Sequence, residues 1–326
     1  MARFAAVVVA AAAVVGCDAG QLGRGLQGGD LISVELAVVQ GLSNAQANAV
    51  RVAFDEAAEV WNKLIVNTLP DVTLRQTLTN NDLGCGNDLQ FVRQAGEVVR
   101  GIEIVAQVAP IDGRGQILGQ AGPCGARSTV GAARLPRFGR MTFDADDVAG
   151  LLNAGTFNSV VLHEMGHVIG IGPLWGSSPN GDLVSGRGGS NPTYRGANGN
   201  EGFAQVSGKN GNAPVENVGG GGTRDAHWRT SSFGNEVMTG FLSGREQPLS
   251  LMTAKSLIDI GYEVNLDSDV IDTGFAVDGS TFPDLPNADD VFWDGDDIGE
   301  WNTGASPASL AASSFLLVAS IVVAMF

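Results

Sequence analysis

Basic charge is scarce in this chain: 19 lysines and arginines stand against 35 aspartates and glutamates, a formal net charge of -16 at pH 7. Such an excess repels nucleic-acid phosphates and offers no basic patch to an anionic membrane surface, so neither is expected as a partner. Histidine and cysteine are rarer still, with three of each in 326 residues. The two apolar runs at the ends, 4–15 and 315–326, both fall short of the roughly 20 residues that a membrane-spanning helix needs. What is abundant is apolar side chain, 44% of the residues. That is a globular composition, long enough for a substantial core in one large domain or two small ones.

The short apolar runs carry their own signals. Arg3, the run FAAVVVAAAAVV and the small residues after it have the order of a secretory signal peptide over residues 1–17. Val14, Val15, Gly16 and Cys17 also fit a bacterial lipobox, in which Cys17 would become a lipidated first residue. At the other end, nothing after Glu300 is charged. Small residues at Asn302 to Gly304, a polar spacer and the tail FLLVASIVVAMF match a GPI-anchor signal over 305–326, with a membrane-anchoring tail as the other reading. Export bears on the cysteines: Cys85 and Cys124, in an oxidising compartment, are expected to pair, against a reading as two free buried thiols.

Taken in order, 31–40 reads as a strand and 43–65 as an amphipathic helix capped by Ser43 or Asn44, with Val50, Phe54, Ala57, Val60, Trp61 and Leu64 at helical spacing. Strands are expected at Val72 to Gln76, Val98 to Val108 and near Arg140 to Asp144. Between them, the glycine-punctuated segment 117–128 has two readings: an edge strand around Gln116 to Gly122 that pairs with an extended peptide, or a surface loop held by Cys124. The order implies an α/β (α+β) fold with a mixed sheet. Residues 176–222, dense in Gly, Asn and Ser, read as a surface insertion, 248–264 as a closing helix and strand, and 265–304 as an acidic, solvated stalk. Calcium binding there is the weaker reading, because DGDDIGE lacks the EF-hand spacing.

The chemistry concentrates in TFNSVVLHEMGHVIGIG, residues 156–172. On a helix His163 and His167 project from one face, where two imidazoles can hold one metal ion, and Glu164 can reach a water beside it. Gly170, Gly172 and Pro173 end the helix. A catalytic zinc site needs three protein ligands and an open position, and the one histidine left is His227. A carboxylate, Glu201, Glu216 or Asp225, is the alternative third ligand. A chance HExxH on an ordinary core helix, or a plain structural His227 beside Trp228, is the bland reading of the same residues.

HEMGHVIG, with Gly170 three residues after the second histidine, His227 beyond a long insertion and Met238 in HWRTSSFGNEVMTG, resembles the leishmanolysin-like metallopeptidases, a family of metzincin zinc endopeptidases. The match is most specific over 156–172 and 225–262. It implies a metzincin-like zinc protease with a twisted mixed sheet, an active-site helix and a mostly irregular second part. The subdomains would be 31–172 and 173–264. It also implies one catalytic Zn2+ held by His163, His167 and His227, Glu164 as general base, Met238 as the turn methionine beneath the metal, and a peptide or protein substrate. Pro173 stands where many metzincins place the third ligand, and Gly240 where some place a tyrosine. Neither a latency propeptide nor the family's cysteine-rich C-terminal region is expected here. A surface adhesion or binding protein with a structural or inactive zinc site is the competing function.

Overall fold

The computed structural model describes residues 31–66, 69–83, 85, 91–128, 134–176, 178, 181–241, 247–277 and the backbone of 319–322. The expected signal peptide at 1–17, most of the stalk and all but 319–322 of the C-terminal tail lie outside the described residues.

Strand β1 (Ile32–Val39) leads into helix α1 (Asn44–Leu64). Ser43 starts the helix with a capping box: its Oγ accepts from Gln46 N, and Gln46 Oε1 accepts from Ser43 N at 3.0 Å. Short pieces follow: β2 (Val72–Thr73), β3 (Leu78–Thr79), α2 (Asn80–Leu83), β4 (Val92–Arg93) and β5 (Val98–Val99). The strand expected over Val98 to Val108 is therefore divided, and its main part is β6 (Ile102–Ala109). Then come β7 (Ile117–Ala126), β8 (Pro136–Asp144), α3 (Ala145–Ala154) and α4 (Phe157–Ile169). The second part holds β9 (Val184–Ser185), β10 (Thr193–Tyr194), α5 (Ala197–Ser207), α6 (Thr230–Phe233) and α7 (Leu251–Ile260). Last is β11 (Ala319–Val322).

The main sheet has the order β1-β6-β8-β7-β11. β1, β6 and β8 run parallel, β7 is antiparallel to β8, and β11 is antiparallel to β7. This is a mixed α/β arrangement, as the sequence order implies. Alternation along the strands sends side chains to two cores. From β6, Ile102, Ile104, Ala106 and Val108 join the large core under α1 and α4, while Val105 joins Leu74, Leu78, Phe91, Cys124 and Phe138 on the opposite face. The Cys85–Cys124 disulfide lies in that second, smaller core. Cys124 sits within β7, so the glycine-punctuated segment is a strand and not a loop.

Helix α4 crosses the sheet between α1 and β7. Trp61, fully buried on α1, donates from Nε1 to Leu162 O at 3.1 Å, and Phe143 of β8 meets both Phe54 and Phe157 edge-on. The region expected to be a surface insertion carries more structure than its composition implies. α5 packs against α7, and Tyr194, Phe203, Val206, Ala213 and Val215 are buried. Glycine and asparagine lower helix propensity, but burial against α7 outweighs it. Among the described residues no helix is long and apolar enough to cross a membrane.

Candidate metal centre

Three segments meet at one point: α4, the loop that carries His227, and the turn at Met238. On α4, His163 and His167 lie one helical turn apart and both are fully buried, as is His227. Each imidazole is fixed from behind by a backbone carbonyl. His163 Nδ1 faces Val237 O at 2.6 Å, His167 Nδ1 faces Ile171 O at 2.8 Å and His227 Nδ1 faces Thr223 O at 2.9 Å. A carbonyl only accepts, so each Nδ1 carries the proton and each Nε2 is left as a bare lone pair.

Those three Nε2 atoms converge, with separations of 2.8, 2.9 and 3.1 Å. Three lone pairs that close, with no proton between them, repel one another unless a cation shares them. Burial lowers the pKa of His163 and His167 well below the ordinary histidine value, reinforced by the neighbouring imidazoles, and burial lowers His227 to about 4. All three are therefore neutral near pH 7, the form that binds metal. Among the described residues His163, His167 and His227 are the group that could hold a metal ion.

Glu164 stands beside them and is equally buried, yet neither carboxylate oxygen has a hydrogen-bond partner. Burial pushes its pKa well above the usual carboxylate range. Strand β7 runs alongside: a methyl group added at Gly119 would lie 3.0 Å from Glu164 Oε1. A buried acid without partners, next to three unprotonated ring nitrogens, is what a water and a metal ion would complete. The residues thus fit a bound metal ion.

The three carboxylate alternatives for the third ligand are engaged elsewhere. Glu201 is on the surface with Lys255 Nζ at 2.7 Å; Glu216 accepts from Asn217, Val218 and Thr230 backbone N–H groups; and Asp225 accepts from Gly188 N. His227 reaches the centre because the chain after α4 passes close to its loop. A side chain at Gly172 would strike Ala226 O. Met238 lies beneath α4, where a Cβ at Gly166 would come 2.6 Å from its Sδ. The glycine inside HEMGH thus leaves room for the methionine.

Several supporting groups escape a reading of the sequence. The carbonyls of Val237, Ile171 and Thr223 carry no sequence signal at all, since every residue has one. Glu236 is different: fully buried, it accepts from Met238 N, Ser250 N, Ser250 Oγ and Thr253 Oγ1. A charged residue set among Phe233, Val237 and Met238 was the available clue.

Comparison of the sequence with protein-family models finds no match, and comparison with curated proteins finds no relative. The functional reading therefore rests on the centre itself.

Proposed function

We propose that the chain is a zinc metalloendopeptidase of the leishmanolysin-like, metzincin type. The observation that carries this is the pairing of three buried imidazoles, all turned with Nε2 inward, with a buried glutamate that has no partner of its own. A closed structural site would call for a fourth ligand and no base. His163, His167 and His227 would hold the ion, which when bound supplies a Lewis acid for a peptide carbonyl and makes water more acidic.

The chain's own residues do the rest. Glu164 takes a proton from the attacking water and returns it to the leaving amine, so that hydroxide adds to the carbonyl carbon and hydrogen to the amide nitrogen. Val237, Ile171 and Thr223 carbonyls hold the rings in the ligating tautomer. β7 lies along the centre and its outer edge accepts an extended segment: Ala319–Val322 pairs there antiparallel, with Ala319 opposite Ala121 and Val322 opposite Ile117. A peptide substrate would use the same backbone donors and acceptors, independent of its sequence. The expected export signal and the Cys85–Cys124 disulfide support a secreted or cell-surface location, the latter because disulfides persist in oxidising compartments. A C-terminal lipid anchor or tail would hold the protein at the membrane.

The test is metal content together with casein or gelatin cleavage. One zinc per chain is expected, with cleavage lost on chelation. Glu164→Ala should keep the zinc and lose about 10²- to 10⁴-fold in rate. Full activity in that variant would reject the mechanism; stoichiometric zinc without turnover in the wild type would favour a binding protein.

A further inference from the structure

Glu236 is wholly enclosed, and its two oxygens face different elements. Oε2 accepts from Met238 N at 2.6 Å, within its own turn. Oε1 accepts from Ser250 Oγ at 2.7 Å, from Ser250 N at 3.3 Å and from Thr253 Oγ1, all at the start of α7. Thr253 Oγ1 in turn accepts from Trp228 Nε1 at 2.8 Å, and Trp228 N donates to Met238 O at 3.0 Å. One carboxylate thus joins the turn 236–239, the N-terminus of α7 and the residue that follows His227.

Two of the three histidines depend on those segments. Val237, between Glu236 and Met238, supplies the carbonyl that fixes His163 Nδ1. Trp228, held through Thr253, fixes the chain at His227. We propose that Glu236 is a positioning residue for the metal centre: by fastening the methionine turn to α7 it sets the orientation of His163 through Val237 and of His227 through Thr253 and Trp228. The inference rests on the reading of this centre as a metal site. Its chemistry is that of an anion surrounded only by donors. An amide of the same shape fits less well: with its oxygen toward Met238 N, its NH2 group faces Ser250 N–H and obliges the Ser250 and Thr253 hydroxyls to turn from donating to accepting.

Two variants of the full chain test this, each read by zinc affinity in competition with a chromophoric chelator and by the visible absorption of bound Co2+. Glu236→Gln is expected to weaken zinc binding by about 10- to 100-fold and to alter the Co2+ spectrum. Thr253→Val keeps the shape and removes the one hydroxyl that joins Glu236 Oε1 to Trp228 Nε1, leaving the bonds from Ser250 and Met238, so it remains informative if Glu236→Gln does not fold. It should weaken binding about tenfold. Wild-type affinity and an unchanged Co2+ spectrum in Thr253→Val, or in folded Glu236→Gln, would overturn the assignment. Failure of the wild type to bind either metal would overturn it together with the proposed function, whereas a metal-binding wild type and unaffected variants would overturn this inference alone.

Discussion

Glu164 and Glu236 are both fully buried glutamates within one small volume, and burial raises the pKa of each. Around Glu236 the hydrogen bonds from Thr253, Ser250 and Met238 work against that rise. Around Glu164 nothing does. On the proposed function, the difference separates a group that builds the site from one that would work in it. A satisfied carboxylate is held still and fixes its neighbours; an unsatisfied one stores a cost that only a substrate, water or metal can relieve. The same division holds for the histidines, each satisfied at Nδ1 and left bare at Nε2.

Acid is the strongest way to probe that division, because the bare side of the centre contains the bases. His227 is held to about 4, against about 6.5 unfolded, so the unfolded chain binds more protons between those values. The contribution of His227 to the stability of the metal-free protein is therefore fully present above pH 6.5 and is lost as the pH drops toward 4, on the order of 3 kcal/mol. His163 and His167, also lowered, act in the same direction. Denaturant unfolding of chelator-treated protein from pH 7 to 4.5 measures this. Glu164, whose raised pKa acts in the opposite direction, is taken out of the measurement by Glu164→Gln, and a flat profile in that variant would mean that the three rings are not buried as neutral bases.

Much of this was legible in the sequence, and the reasons are local. α1 declares itself through its apolar spacing and Ser43 cap, and α4 through two histidines four apart on an apolar support. The disulfide follows from there being only two cysteines after residue 17. His227 could be chosen because no other histidine remained. The rest depends on contacts between distant residues. Two-residue strands such as β2 and β5 have no periodicity to read. α5 is written in residues that favour loops and exists through its packing on α7. Glu236 acquires its role only when Ser250 and Thr253 fold over it.

A second prediction tests whether the satisfied and unsatisfied sides are mechanically joined. Gly166 on α4 leaves space for Met238, and a methyl group there would press on Sδ. Met238 N is the donor to Glu236 Oε2, so the turn cannot move freely to make room. Gly166→Ala should gain helix propensity yet lose about 2 kcal/mol through overpacking, and weaken zinc binding with it. Thermal unfolding and zinc competition together check this. Stabilisation with unchanged affinity would show that the methionine turn yields without disturbing the ligands.

The smallest expected effect is also the one that separates the two glutamates by sign. Glu164 has its folded pKa raised, so in the metal-free protein it favours the unfolded state as pH rises through its unfolded value near 4.5 toward the folded one. At pH 7 it is a net liability. Glu164→Gln removes the charge and keeps the shape, and should stabilise the metal-free chain by about 1 kcal/mol, as expected where a functional group is retained at the expense of stability. Glu236→Gln should do the reverse, because it sets an NH2 group against existing donors. Thermal unfolding of both variants after chelation decides the matter. A loss of stability in Glu164→Gln would mean that its carboxylate holds structural partners in solution, and the contrast with Glu236 would fall.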